Sequence, residues 1–307
     1  MEESLAKVLS FIVLIVLGQA MRRFGILKPE AFSAISGLVQ YVTLPAVILY
    51  NLNGISIAGE LLIIAFLGLA TNIVLFLWAM FLGSREKTQS MKDFVRMNVG
   101  GYSVGPFAVP YMQAFYPTTG VLTVCMFDVG SCFMSAGGTY AILSGSRSRK
   151  SLLGTLKEIG GKLLRSGPLD AFLIVILLSI FSLKIPESVM TCVKVAATAN
   201  TFLCMIMIGE AIELFMSLSQ FLKIMKILML RWGACLLMSV GCFFLLPFDE
   251  ETRKALAMVC LSPIPAISVA YTAKLGCDIA LGANINSLSV AASVVFMSVA
   301  LVIFGAL

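Results

Sequence analysis

Few residues of this chain could do chemistry, and their surroundings restrict what that chemistry could be. Gly101-Tyr-Ser-Val-Gly105 matches the Gly-x-Ser-x-Gly string of a nucleophile elbow. A serine there needs a base, usually histidine, and the 307-residue chain has no histidine. A Ser–Lys pair would need a lysine at depth, and every lysine stands in or near a loop between apolar runs. An intramembrane serine hydrolase is therefore the remote alternative, and no enzyme activity is expected. Eight cysteines without a Cys-x-x-Cys make no zinc site of the usual kind, and they read as small apolar residues. The phosphate loop Gly-x-x-x-x-Gly-Lys-Ser/Thr is absent, so neither a metal nor a nucleotide cofactor is expected. Asp128 stands apart. It lies about the middle of an apolar run, in Cys125-Met-Phe-Asp-Val-Gly130. A carboxylate at the bilayer centre costs about 2.5–3.5 kcal/mol on insertion scales, and such residues usually face a cavity and mark ion or proton pathways. Proton coupling is the expected role of Asp128, and a structural hydrogen bond is its alternative.

The elements that must position these residues are membrane helices. Of all residues, 59% are hydrophobic and 12% charged, against about 45–50% and 25% in soluble domains. Mean hydropathy is +1.00. Ten apolar runs cover 5–24, 31–53, 58–82, 92–116, 117–143, 169–185, 188–215, 221–247, 252–275 and 278–305, each near the roughly 20 residues a span needs. The acidic start Met-Glu-Glu, followed by an apolar run ending at Arg22-Arg23, reads as a retained first helix rather than a cleaved signal. The net charge of +6 is spread over short clusters between runs, and no basic stripe is interleaved with aromatics, so nucleic acid is not an expected partner. Membrane lipid is.

With the N-terminus outside, seventeen Lys and Arg fall on the inner side, Arg231 among them, and five on the outer side. This satisfies the positive-inside rule and predicts both termini to be extracytoplasmic. The polar stretch 144–168 becomes a cytoplasmic linker between five-helix units over 1–143 and 169–307. The units echo each other: Pro29 and Pro186 stand 157 residues apart, Pro106 and Pro265 stand 159 apart, and so do Pro117 and Gly276. Five spans per unit insert the second upside down, the inverted-repeat plan of many secondary transporters.

The fourth run contains Asn98-Val-Gly-Gly-Tyr-Ser-Val-Gly-Pro-Phe-Ala-Val-Pro110, and the ninth contains Leu261-Ser-Pro-Ile-Pro-Ala-Ile-Ser268. Proline removes a backbone donor and glycine permits unwinding. In hydrocarbon, freed backbone is tolerated only where protein or a watery cavity satisfies it. Matched interruptions in corresponding spans therefore point to a substrate site, and half-helix N-termini suit an anion. A pair of ordinary proline kinks is the plainer reading. The expected substrate residues are Asn98, Ser103, Gly105, Pro106 and Pro110 in the fourth span, Pro263 and Pro265 in the ninth, and Asn286 in the tenth, with Gly105 and Pro110 expected at the crossing. Asn72 and Asn284 can line a path or bond between helices. Glu210 reads as reaching the cytoplasmic interface, and Trp78 and Trp232 as interfacial anchors near helix ends.

The Gly/Pro-rich fourth span, the Pro-x-Pro of the ninth, the five-plus-five layout and the ending Ile285-Asn-Ser-Leu-Ser-Val-Ala-Ala-Ser293 resemble the auxin efflux carrier family over essentially the whole chain. The resemblance implies an all-α membrane protein of ten transmembrane helices in two inverted five-helix repeats. The broken fourth and ninth helices would cross near the midplane. It further implies export of carboxylate-bearing organic anions. The family often carries Asn just before the crossing in an Asn-x-Gly context, where this chain has Ser103-Val-Gly105, with Asn98 earlier. A bile-acid/sodium-symporter-like carrier is the nearer rival, but the polar sodium ligands it would need are mostly apolar residues here. The expectation is thus a multi-pass, cell-membrane carrier of small organic anions working by alternating access. A homodimer is compatible with it.

Overall fold

The computed structural model describes residues 2–28, 30–55, 59–145, 161, 167–212 and 216–306. Pro29, Glu213 and most of the linker expected over 144–168 lie outside these residues. So do six of the seventeen basic residues assigned to the inner side.

Every regular element among the described residues is helical. In chain order they are α1 (Glu2–Arg23), α2 (Ala31–Leu52), α3 (Gly59–Ser84), α4 (Gln89–Val99), α5 (Val109–Phe115), α6 (Thr119–Phe133), α7 (Thr139–Gly145), α8 (Gly167–Ile180), α9 (Glu187–Ala211), α10 (Leu218–Leu245), α11 (Glu250–Cys260), α12 (Ile267–Lys274) and α13 (Ile279–Ala306). Among the described residues, α2, α3, α9, α10 and α13 are long and apolar enough to cross a membrane, and α6 and α8 are shorter apolar helices. Wider π turns sit inside α2 at Val39–Thr43, before α5 at Val104–Ala108 and between α6 and α7 at Met134–Gly138.

Polar side chains start the helices that follow loops. Thr88 accepts the Met91 amide before α4, and Asp249 accepts the Thr252 amide before α11. Ser217 and Gln220 form a reciprocal capping box before α10. The long helices then turn apolar residues outward: Leu62, Val195 and Leu237 are 68%, 73% and 76% exposed. Polar residues turn inward, with Asn72, Asn200, Ser131 and Arg231 buried. That inversion of the soluble pattern fits helices surrounded by lipid, and the protein is membrane-embedded. By contrast α4 and α11 are wrapped by other helices and largely buried.

Packing falls into a few intimate pairs. α3 packs on α4 and α6, α10 on α11, α1 on α9, and α2 on both α8 and α9. Glycine brings backbone onto backbone most closely in two of these pairs. A Cβ on Gly130 would lie 1.8 Å from the Ala65 carbonyl oxygen and one on Gly68 2.0 Å from that of Phe127, joining α3 to α6. Likewise a Cβ on Gly209 would collide with the Ile15 carbonyl oxygen and one on Gly18 with that of Ile206, joining α1 to α9. Without a hydrophobic drive between helices in lipid, such close approach supplies the van der Waals contact. Polar bonds accompany it: the Asn72 amide donates to the Ser131 hydroxyl at 2.6 Å across α3–α6, so Asn72 bonds between helices.

Three placements correct the sequence. Arg231, counted among the inner loop charges, lies at the centre of α10 and is 1% exposed. Trp232, expected near a helix end, is also mid-helix, and its ring meets Phe296 edge-on. Trp78 donates to the Leu230 carbonyl. Glu210 is fully buried at the end of α9 instead of reaching an interface, and Arg22 donates to its main-chain carbonyl.

The glycine contacts carry a prediction. Gly130→Ala is expected to lower the thermal midpoint of the purified protein, an overpacking cost of about 1–3 kcal/mol. Gly233→Ala, which meets nothing within 4 Å, leaves it unchanged or slightly raised; differential scanning fluorimetry in detergent measures both.

Candidate functional site at the crossing of two broken helices

The chain leaves helical geometry between α4 and the turn before α5, and again between α11 and α12. The first break begins at Gly100 and includes Gly101 at φ +84, a left-handed conformation that glycine adopts freely. A Cβ on Gly101 would stand 3.0 Å from Pro265 Cγ, so the second break packs directly against the first. One backbone bond joins them: the Ser103 amide donates to the Pro263 carbonyl at 2.9 Å. The crossing therefore lies at Gly101–Ser103, slightly before Gly105. Pro110 sits beyond it, buried in the first turn of α5.

The freed backbone groups find partners in neighbouring helices. The Ile264 amide donates to the Ser289 hydroxyl at 3.0 Å, and the Ile264 carbonyl accepts the Asn286 amide at 2.9 Å, both from α13. From α10, the Arg231 guanidinium donates to the carbonyls of Val99, of Gly101 at 2.9 Å and of Ser262 at 3.2 Å. The Asn286 side chain thus serves the main chain of the break. Asn98 is fully buried and engaged three times. Its amide donates to the Phe94 carbonyl at 3.0 Å and the Thr272 hydroxyl at 2.8 Å, and its oxygen accepts the Ser268 hydroxyl at 3.2 Å. Those bonds tie α4 to α12.

Beside the crossing opens a cavity of about 570 Å³, within the usual range for small-molecule pockets. Ser103, Gly105 and Pro106 line it from the first break and Pro265 from the second. Tyr102, Asp128, Cys132, Ser135 and the Ser36-to-Leu44 face of α2 complete most of the wall. Asn98, Pro110, Pro263 and Asn286 are not among the lining residues. Of the two candidates for the polar contact before the crossing, Ser103 faces the cavity and Asn98 does not. Tyr102, Ser135 and Gln40 were missed; nothing in their local sequence separates them from other polar residues in apolar runs. Arg231 did carry a signal, since it stands near the midpoint of its apolar run.

Asp128 is the one charged side chain among the described lining residues. Its carboxylate oxygen would lie 3.8 Å from a Cβ on Gly105, which places it against the start of the turn leading into α5. It makes no hydrogen bond or ion pair with the described residues. A second void of about 30 Å³ adjoins it, bounded also by Leu44, Val129 and Phe172, which is room for about one water. No group of three or more metal-ligating side chains occurs among the described residues. The site can hold a small polar molecule against main-chain groups, a serine hydroxyl and one carboxylate.

A scan against protein-family models gives no match for this chain, and a search of curated proteins gives none either.

The cavity predicts thiol reactivity. With the exposed Cys192 replaced by serine, a charged, water-soluble methanethiosulfonate is expected to modify Cys132 much faster than the buried Cys204 or Cys235. Mass spectrometry of the labelled peptides reads the order.

Proposed function

We propose that this chain is a secondary transporter that carries small organic anions across the cell membrane by alternating access. It would be a carrier of the auxin-efflux type, with ten spans in two inverted sets of five. The single observation that carries the reading is the cavity at the crossing of two helix breaks. Unwound backbone deep in a membrane protein is expensive and is kept where it lines a binding site.

Several features agree with an inverted repeat. Exchange of the halves maps the α1–α9 contact onto α8–α2 and the α3–α4 contact onto α10–α11, and all four contacts occur. Thr43 donates to Asn200 at 2.9 Å, and these residues are 157 positions apart, the spacing of Pro29 and Pro186. Repeat-related residues can touch each other only on the axis that relates them, so a direct bond between them is what a two-fold axis there would produce.

Two positive groups near this cavity would favour an anion. Arg231 lies behind Tyr102, its guanidinium carbon 5.9 Å from the ring centroid, and the N-terminus of α12 opens at Ala266 on the wall. Asp128 opposes it when ionised and not when protonated. Anion and proton would therefore enter together, with Ser103 and nearby amides on the substrate carboxylate and Asp128 on the proton. Both termini would face outward. A small organic cation is the second reading, favoured by the same lone carboxylate.

The test is uptake into liposomes of labelled mono- and dicarboxylates, with a quaternary ammonium compound in parallel. Carboxylate uptake is expected to rise as pH falls on the substrate side. Asp128→Asn is expected to keep binding and lose the pH dependence. Cation uptake alone replaces the first reading by the second. Sodium-stimulated uptake favours a bile-acid-symporter-like carrier, and loss of lipid reaction products in Ser103→Ala revives a hydrolase. No movement of any solute under a pH gradient or membrane potential ends the carrier reading.

A further inference from the structure

Arg231 is a buried cation, 1% exposed, with no carboxylate partner among the described residues. A charge taken out of water costs several kcal/mol unless it is well compensated. Here the compensation is main-chain oxygen: carbonyls of Val99 and Gly101 at one break and of Ser262 at the other. Val99 is the last residue of α4, and Ser262 lies two residues beyond the end of α11. Two helix C-termini, each with partial negative charge and unpaired carbonyls, thus converge on one guanidinium. Arginine suits this place because its planar fork donates in several fixed directions, which the point charge of lysine does not.

Carbonyl oxygens gathered from unwound helix ends are the ligand set that a hard monovalent cation takes in a membrane protein. We propose that Arg231 is a resident counter-cation, a positioning residue that holds the two breaks in register in place of an exchangeable metal ion. The inference stands on the crossing alone and goes beyond the transport reading. It assigns no contact between Arg231 and any substrate. Its consequence is that the crossing has no vacancy for sodium.

The experiment uses the purified full chain and needs no substrate, so its failure is separate from that of the transport reading. Thermal unfolding is followed in sodium, potassium and choline chloride at equal ionic strength, for the unaltered protein and for Arg231→Ala, Arg231→Lys and Arg231→Met. The unaltered midpoint is expected to be the same in all three salts. Arg231→Ala is expected to unfold about 5 °C lower or more, with Arg231→Lys between. Millimolar guanidinium chloride is expected to raise the Arg231→Ala midpoint, as a ligand of the folded state does by mass action, and to leave the unaltered protein unmoved or slightly lowered. A purely structural packing role gives no such rescue. The proposal is overturned by specific sodium stabilisation of the unaltered protein, by an Arg231→Met midpoint equal to the original, or by a folded Arg231→Ala that guanidinium does not restore. If Arg231→Ala does not fold, the salt series and Arg231→Lys decide: a lysine variant as stable as the original, with no loss to recover, also overturns it.

Discussion

The structure depends on a constraint that hydrocarbon imposes on the main chain. Each unsatisfied amide or carbonyl in the bilayer core costs several kcal/mol, and whole proteins are stable by only about 5–15 kcal/mol. Two interrupted helices at the same level could exhaust that margin. They do not, because each break is served by the other and by helices behind it. Ser103 and Pro263 pair main chain to main chain. Ser289 and Asn286 cover both polar groups of Ile264. Arg231 collects carbonyls from both sides. The cavity opens beside these partnered segments.

Around that centre the helices solve a different problem. Lipid gives no reward for burying leucine against leucine, so association rests on close packing and on polar bonds between helices. The glycines of α1, α3, α6 and α9 admit a neighbouring carbonyl where any side chain would collide. Thr43, Asn200 and Gln113 add bonds between α2, α5 and α9, with Asn200 shared by the other two. Bonds of this kind average about 0.6 kcal/mol in a membrane. Their value lies more in fixing which faces meet than in total energy.

Much of this was legible in the sequence, and the limits have physical causes. Among the described residues, five of the ten apolar runs mark helices long and apolar enough to cross a membrane, because a span needs about 20 apolar residues. The Gly100-Gly101 and Pro-x-Pro interruptions mark the breaks because those residue types cannot continue a helix cheaply. Ser103, Gly105, Pro106, Pro265 and Asp128 do meet at one cavity. Asn98 looked equally suited to a ligand, and its partner Thr272 lies 174 residues away, a distance over which sequence pattern says nothing. Arg231 was drawn toward the loop by Lys223 and Lys226, which precede it by about two turns and one turn of helix. Only packing reveals that its side chain points to the breaks and not to water. The π turns have no residue signature that separates them from ordinary helix.

The glycine contacts carry a mechanical consequence. Where a carbonyl oxygen of one helix sits in the space of a missing Cβ on another, the two helices are keyed like teeth and cannot slide without separating first. α1 is keyed to α9 in this way, and α3 to α6. Rearrangement that keeps these keys intact moves each pair as one beam. Sliding is left to the contacts that carry no such key, α10 against α11 among them.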